Sequence, residues 1–498
     1  MRGRNPQIAF IIHRHVVSKT YAISLMKTHD IPWVASPTCE TSLKNGFAKR
    51  MNPLMPVANR QTLLLLQQFV QRYLNQYKPL PNMEHEEKHL VEQWLLDNEH
   101  YTLRKKKKML RDYDYISRFG IPILVESDYD CKSFIKREFY PEAKYPRFIN
   151  SRSDRFKVRV GYAIKMIEKI IYSGNTAFVK GVNPNLLPPL IKNKLQNYPY
   201  LLETDYSSFE GGFSLAYSAA VEMQLWRHFL VNNPNLRRDV LHTYYQPHSN
   251  MARCQRIRND IYDGYVNGSR MSGEMWTSLG NGFSNLMNIL FWAEQNHQTV
   301  DCFVEGDDAI IGMNTPFYTE QMFTQLGFKI KMKYVTSLID TTFCGNIFHP
   351  DECLTIIEPE NITRLFWTCH PSYLGCRNEK KVDLLRAKAM SLFVLARDTP
   401  IAGNLAYKVL QIIGPGSILV DPNQRWWENQ ILKLFHTIKF VKPVITDKSR
   451  FLYARNFHIT VARQLKMERI IDKAVTLQDF ESLDSFIETQ NVSSAVML

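Results

Sequence analysis

Apolar residues recur along this chain in two periods, and the change between them marks its organisation. Across residues 61–98, Leu63, Leu64, Leu66, Phe69, Val70 and Leu74 return every three or four positions. That spacing predicts helix, because it keeps one apolar stripe on a single face. Residues 120–160 lose the period. Pro122, Pro141 and Pro146 punctuate them, so an extended, loop-rich stretch is expected. Residues 198–204 read as a buried strand ending at Asp205. A helical pattern follows over 213–231, which Asn232-Asn233-Pro234 should terminate. Residues 269–273 read as a loop that opens a second helix running to about Trp292. Two short apolar runs, 300–305 and 309–313, flank Gly306-Asp307-Asp308, the pattern of a hairpin with turn formers between strand formers. The C-terminal part reads mainly as helix, divided by Pro400, Pro415, Pro422 and Pro443, while residues 1–60 predict no clear element.

Composition widens this picture. The 498 residues exceed what one small core needs, and at ~100–200 residues per domain two to four lobes are expected. Hydrophobic residues make up 45% and aromatic residues 12%, which excludes a largely disordered chain. The net charge of +14 fits a polyanionic partner, since cations that neutralise phosphates release counterions. A generic basic protein carries the same excess, so charge alone does not decide. Part of it lies in blocks, at 104–108 and 147–157.

The eight cysteines, Cys254 among them, form no C-x-x-C pair and read as reduced thiols. Cys353, Cys369, His370 and Cys376 match no common zinc spacing. The apolar run Ile8-Ala9-Phe10-Ile11-Ile12 stops at His13-Arg14-His15, and the run at 284–293 is short of the ~20 residues a membrane span needs. The start of the chain lacks a secretory signal pattern, so work at a membrane is expected to go through partners. No G-x-x-x-x-G-K-[ST] loop supports a helicase.

The candidate chemistry starts at the hairpin. Adjacent carboxylates Asp307 and Asp308 beside apolar strands repel each other, and a divalent cation with a preference for oxygen ligands relieves that. An ordinary acidic surface turn would look the same. Asp205 at a strand end, with Glu210 five positions on, can bring a further carboxylate to the turn, although acids also favour the first turn of a helix. Two-metal phosphoryl transfer needs such a set, with metals ~3.5–4 Å apart. In Ser272-Gly273-Glu274-Met275-Trp276-Thr277-Ser278-Leu279-Gly280-Asn281, Thr277 and Asn281 share one helix face. Their hydroxyl and amide, with Ser272, can hydrogen-bond a ribose, and Gly273 would let backbone approach the substrate. Helix capping by Ser272 explains part of this pattern but not its full spacing.

Taken in order, D-x-x-x-x-[acid], S-G-x-x-x-T-x-x-x-N and G-D-D closely resemble motifs A, B and C of viral RNA-dependent RNA polymerases of positive-strand RNA viruses. The wording around Asp205 and over Ser272 to Asn285 is most similar to tombusvirus-like enzymes, with nodavirus-like ones second. The resemblance extends over residues 120–350. Lys144 and Arg147 in Lys144-Tyr145-Pro146-Arg147-Phe148-Ile149, continued by Arg152 and Arg155, resemble motif F, whose cations offset the charge of a nucleoside triphosphate. Leu326-Gly327-Phe328-Lys329-Ile330-Lys331 resembles motif D, which supplies a lysine to the leaving group. Lys331 is the candidate, with Lys329 and Lys333 left open. Phe343-Cys344-Gly345 resembles motif E, which supports the growing 3′ end. The family commonly has Asp where this chain has Glu210.

The resemblance implies an α+β right-hand fold of fingers, palm and thumb, with a small antiparallel palm sheet. Its expected parts are an N-terminal region and fingers at 1–199, palm at 200–234, a fingers insertion at 235–265, palm at 266–350 and thumb at 351–498. It implies RNA synthesis on an RNA template from ribonucleoside triphosphates. Asp205, Asp307 and Asp308 would hold Mg2+, with Mn2+ as a substitute. Lys144, Arg147, Arg152, Arg155, Glu210, Ser272, Gly273, Thr277 and Asn281 would bind the nucleotide. Other viral replication proteins, and host membranes reached through them at cytoplasmic replication sites, are the expected partners. A reverse transcriptase shares the acids but not the S-G-x-x-x-T-x-x-x-N element. A non-enzymatic RNA-binding scaffold would have no reason to keep the complete acidic set.

Overall fold

The computed structural model describes residues 10–14, 22–26, 33–140, 142–245, 255–266, 268–357, 362, 364–420 and 425–480. Ile8, Ala9, His15, Pro141, Cys254 and Pro422 lie outside them. A four-stranded antiparallel sheet stands at the centre, in the spatial order Val300–Glu305, Asp308–Met313, Tyr200–Tyr206, Ile330–Val335. Strand alternation sends Leu202 and Tyr206 to one face and Leu201, Glu203 and Asp205 to the other. The first face packs on the helix Thr277–Gln295 and on the short helices that follow the Tyr200–Tyr206 strand, in the largest apolar core. The opposite face is covered by a smaller core of Leu201, Phe303, Ile310, Phe343 and Phe348. The hairpin end of the sheet carries Asp205 and the acidic turn.

A second sheet joins distant segments in the order Phe10–Ile12, Tyr262–Val266, Gln255–Arg258, Cys131–Ile135, Phe148–Arg152. It is antiparallel except where Cys131–Ile135 pairs with Gln255–Arg258. Beyond a small sheet of Thr342–Phe343, Asn346–His349 and Leu354–Ile357, the chain is mostly helical. Helices Asn378–Ala396, Ala402–Ile413, Asp447–Phe457 and Val461–Lys473 build a separate core. The N-terminal strand Ile23–Ser24 pairs with Trp367–Thr368 and joins that core through Leu25 and Met26.

Four sequence expectations need correction. The helix expected over 61–98 is two helices, Arg60–Leu74 and Glu87–Asp97. Between them Pro79 and Pro81 lack the N–H a helix needs. Asn232 and Asn233 hold this break by donating to the carbonyls of Leu80 and Pro81 at 2.9 and 2.8 Å. The expected helix 213–231 is two pieces, Leu215–Ala220 and Glu222–Phe229, and a short helix Phe209–Gly212 precedes them, separated by Ser214, which caps a new start on Tyr217 N. Pro234 opens the helix Pro234–Tyr245, since a first-turn N–H has no helical partner to lose. The loop-rich stretch ends at Ser153, which caps the helix Asp154–Gly174.

The basic run 104–108 lies on the helix Leu103–Ile116, where Lys105 and Lys108 pair with Asp154 at 2.6 and 2.9 Å. Burial opposes the charge on Asp154, but hydrogen bonds from the two lysines hold its carboxyl down to about 2.

Arg159 is 2% exposed and joins three helices, pairing with Asp239 at 2.8 Å and with Glu87. Removing the cation strands two buried carboxylates. Arg159→Ala is expected to destabilise the fold by about 3–5 kcal/mol in urea unfolding. A loss under ~1 kcal/mol, the range of exposed pairs, would show that the triad contributes little.

Candidate active site

The acidic turn is a two-residue link, with Glu305 directly opposite Asp308 across the hairpin. Gly306 sits at φ +64 in the first turn position, as a type II′ turn requires. The neighbouring strand pairs Ala309 with Thr204, so one step further Asp308 comes beside Asp205 on the same sheet face. Asn285 holds the turn from below. It is fully buried, and its amide N–H groups are shared among the carbonyls of Gly306, Asp307 and Asp308 at 3.3, 3.0 and 3.3 Å. Tyr206, next to Asp205, donates its hydroxyl to Asn285 Oδ1 at 3.3 Å. Tyr206 in turn accepts from Asn288, which accepts from Tyr217 at 2.8 Å. One buried polar relay therefore ties the hairpin to the strand that carries Asp205.

The turn is electrostatically strained. Burial pushes the Asp308 carboxyl up to about 6, with the charges of Asp307 and Asp205 adding and a hydrogen bond from Cys344 opposing. Asp307 reaches solvent at the tip, yet the surrounding protein displaces enough water to raise its carboxyl as well. Asp205 adds to that rise, while Arg147 and Arg50 oppose it. Among the described residues no three His, Cys, Asp or Glu side chains form a ready-made metal cluster. The donor set still suits a hard divalent cation, because Mg2+ typically takes one or two carboxylates and completes its shell with phosphate and water.

The strand register separates the three lysines. Lys331 stands opposite Asp205, and Lys333 stands opposite Glu203, to which it pairs at 3.4 Å. Lys329 lies past the strand, where its carbonyl accepts from Ser207 N. The other candidates divide. Asn281 has a buried Oδ1 without a hydrogen-bond partner. Glu210 lies 3.9 Å from Arg50. Arg147 pairs with Glu138 at 3.3 Å while its charge reaches Asp307. Lys144 lies over the Tyr140 ring and Arg155 over the Tyr115 ring.

Three expectations fail on geometry. Arg152 is 2% exposed and has no face left for a nucleotide. Its guanidinium donates to Glu274 at 2.8 Å, to Gln255 at 2.5 Å and to the Tyr129 carbonyl. Glu274 also faces Arg270, which pairs with buried Glu222 at 2.7 Å, so a buried ionic chain braces the 269–276 loop. The Thr277 hydroxyl accepts from Gly273 N and lies 3.1 Å from the Glu274 carbonyl, closing that loop instead of facing a ribose. Gly273, at φ +115, brings backbone close to the Phe148–Arg152 strand, which accounts for the glycine without a substrate. A Cβ there would meet Ile149 at 2.9 Å and Asn150 N at 3.2 Å. Ser272 is anchored to the same strand, its carbonyl accepting from Asn150 N at 2.6 Å.

Residues 162–392 match the family model described as viral RNA-dependent RNA polymerase. Over those residues, just under half of the chain, it is similar to that family. It is 23% identical to the RNA-directed RNA polymerase of Groundnut rosette virus over 77% of its own length and 46% of the relative's. It is 24% identical to that of Oat chlorotic stunt virus over 49% of this chain and 35% of the relative. To that of Panicum mosaic virus it is 28% identical over 32% and 17%. The chain thus spans less than half the length of the curated relatives it matches. The matched segment contains Asp205, Asp307 and Asp308, the Asn285 clamp and, of the ionic brace, Glu222, Arg270 and Glu274, with Arg152 before it. Arg50 and Arg147, the two cations that oppose Asp307's rise, lie before it. Motif order pointed to Arg147. Nothing in the sequence pointed to Arg50. Asn285 was findable as the next residue four positions on from Thr277 and Asn281.

Two outcomes test this acidic site. Asp308 is held above its ordinary value of 3.8, so its charge costs the folded state most above pH ~6, and the cost fades as pH falls toward 3.8. Asp308→Asn should therefore raise the melting temperature at pH 7.5 without divalent cations and lose that advantage in acid. A pH-independent gain would argue against charge strain. Asn285→Leu should speed amide exchange at residues 305–309 by about tenfold, the scale of one or two lost hydrogen bonds. Unchanged exchange would remove the clamp.

Proposed function

We propose that this chain synthesises RNA on an RNA template from ribonucleoside triphosphates. The observation that carries this reading is Asp205 beside Asp308 on one sheet face, with Asn285 fixing the turn between Asp307 and Asp308. In the right-hand reading the four-stranded sheet is the palm, drawn from 200–234 and 266–350. The sheet that combines segments before the palm strand with 255–266 belongs to the fingers, and the helices after 351 form the thumb. A cavity of about 2020 Å³ opens beside the hairpin, lined by Glu305 and Cys344 and by Lys136, Arg137, Lys180 and Arg364. That is about twice the volume of the largest usual small-molecule pockets and suits a nucleic acid strand.

Two Mg2+ ions held by Asp205 and Asp307, with Asp308 beside them, would supply activation of the primer 3′-hydroxyl and neutralisation of the departing pyrophosphate. Mn2+ has the same ligand preference for oxygen and could replace them. The chain's own groups do the positioning. Asn285 keeps the acidic turn in place against repulsion. Arg147 offsets negative charge at Asp307 and would offset the triphosphate's. Asn281 Oδ1, free to accept, would take the ribose hydroxyl. Lys331, across from Asp205, would give a proton to the leaving group. No described helix is long and apolar enough to cross a membrane. Replication proteins that bring the chain to a membrane in the host cytoplasm belong to the same proposal.

Asp307→Ala should abolish nucleotide incorporation on a primed RNA template with Mg2+. Normal incorporation would sink the assignment. Asn281→Ala should lower the preference for ribo- over deoxyribonucleotides about tenfold or more, the scale of one unpaired polar contact. An unchanged preference would show that the sugar is judged elsewhere.

A further inference from the structure

Glu210 stands where the family commonly has Asp, and its nearest charged neighbour comes from the first helix. Arg50, in the helix Glu40–Met51, places Nη1 3.9 Å from Glu210 Oε1. At that distance the two attract without a formed hydrogen bond, so the guanidinium keeps its donors. Arg50 Nε is buried and has no hydrogen-bond partner. The charge of Arg50 also reaches Asp307, together with that of Arg147.

This placement is built into the packing. Leu43, Phe47 and Met51 bury the helix against the second sheet. Just past it, Pro53 lies against Gly211, where a Cβ would come within 2.3 Å of Pro53 Cγ. Only a residue without a side chain lets the two segments meet, and their meeting brings Arg50 to Glu210. The Glu210 backbone is held as well, its carbonyl accepting from Arg270 N at 2.9 Å and Ser269 Oγ at 3.1 Å.

We propose that Arg50 is a nucleotide-binding residue that holds a phosphate of the incoming ribonucleotide, and that Glu210 is its positioning residue, not the reader of the sugar. The inference rests on the polymerase reading above. Its chemistry is that of a guanidinium, whose planar fork of N–H donors matches phosphate oxygens and which keeps its charge at any working pH. Glu210 holds the fork in place from one side. The sugar is left to Asn281, whose Oδ1 has no other partner. The longer carboxylate arm at 210 then has a reason: it reaches across to the first helix.

The test uses the full chain on a primed RNA template with Mg2+, reading KM and kcat for each ribonucleotide, the ribo/deoxy ratio and the melting temperature. Arg50→Ala should raise KM for all four ribonucleotides about tenfold or more, the effect of losing one hydrogen bond to a charged group, with the melting temperature unchanged. Arg50→Lys should recover part of the loss. Glu210→Gln should move KM in the same direction and leave the ribo/deoxy ratio at the parent value. The proposal is overturned by an unchanged KM in Arg50→Ala. It is equally overturned by a KM loss that comes with a lower melting temperature and no relief from Lys, which would make Arg50 a structural clip. A Glu210→Gln variant that loses ribose preference at unchanged KM would return the sugar to Glu210. Equilibrium dialysis of ATP against parent and Arg50→Ala separates this idea from the polymerase reading. If the parent makes no RNA yet binds ATP more tightly than the variant, only the polymerase reading falls. Equal binding sinks the phosphate site.

Discussion

Three carboxylates crowd one end of a small sheet, and the rest of the structure keeps them there. Asp205, Asp307 and Asp308 repel one another, and burial sharpens the repulsion enough to push the Asp308 carboxyl up to about 6. A lone hairpin would relax by splaying its turn. Here the central strand fixes Asp205 beside Asp308, and Asn285 grips all three carbonyls of the turn. Apolar cores on both faces of the sheet make that register costly to change. The strain is thus held in a rigid frame, as expected where charge must be ready for a ligand that arrives later.

The same logic explains the charges behind the site. Arg152, Glu274, Arg270 and Glu222 form a buried chain next to the loop before the Thr277–Gln295 helix. Buried pairs of this kind add little net stability, but losing one partner leaves an uncompensated charge. Their effect is to allow the loop one conformation. Gly273, Thr277 and Ser272 follow suit, each bonded to the loop or to the adjoining strand. The loop that looked like a ribose pocket in sequence is therefore partly scaffold, and Asn281 is the group left with an unused acceptor.

Much of this was legible in the sequence, where the signal was local. The hairpin showed because strand formers flank a Gly-Asp turn, and its bounds came within a residue or two. The Asp205 strand and the helix after Ser272 showed because their apolar periods are strong. Helix breaks were harder. The interruption at 75–86 is held by Asn232 and Asn233 from far along the chain, and the break after Gly212 by the Ser214 cap on Tyr217 N, which an apolar period does not show. The order of the three acidic and polar elements, in turn, was enough to place the chain beside viral polymerases.

Tertiary structure decided what each charged residue stands beside. Arg147 and Arg152 look alike in sequence, five positions apart in one basic stretch. One stays half exposed with its charge reaching Asp307. The other is sealed among Glu274, Gln255 and Tyr129, residues that sequence distance kept apart. Among three lysines at alternate positions, only strand pairing selects Lys331 as the neighbour of Asp205. Arg50 reaches Glu210 across 160 residues of chain, through a contact that Pro53 and Gly211 make possible. The sequence by itself determined the local elements and the set of acids, because backbone periodicity and turn chemistry act over a few residues. Which cation stands near the acids was decided only by the fold, because burial and ion pairing depend on groups that the chain brings together from far apart.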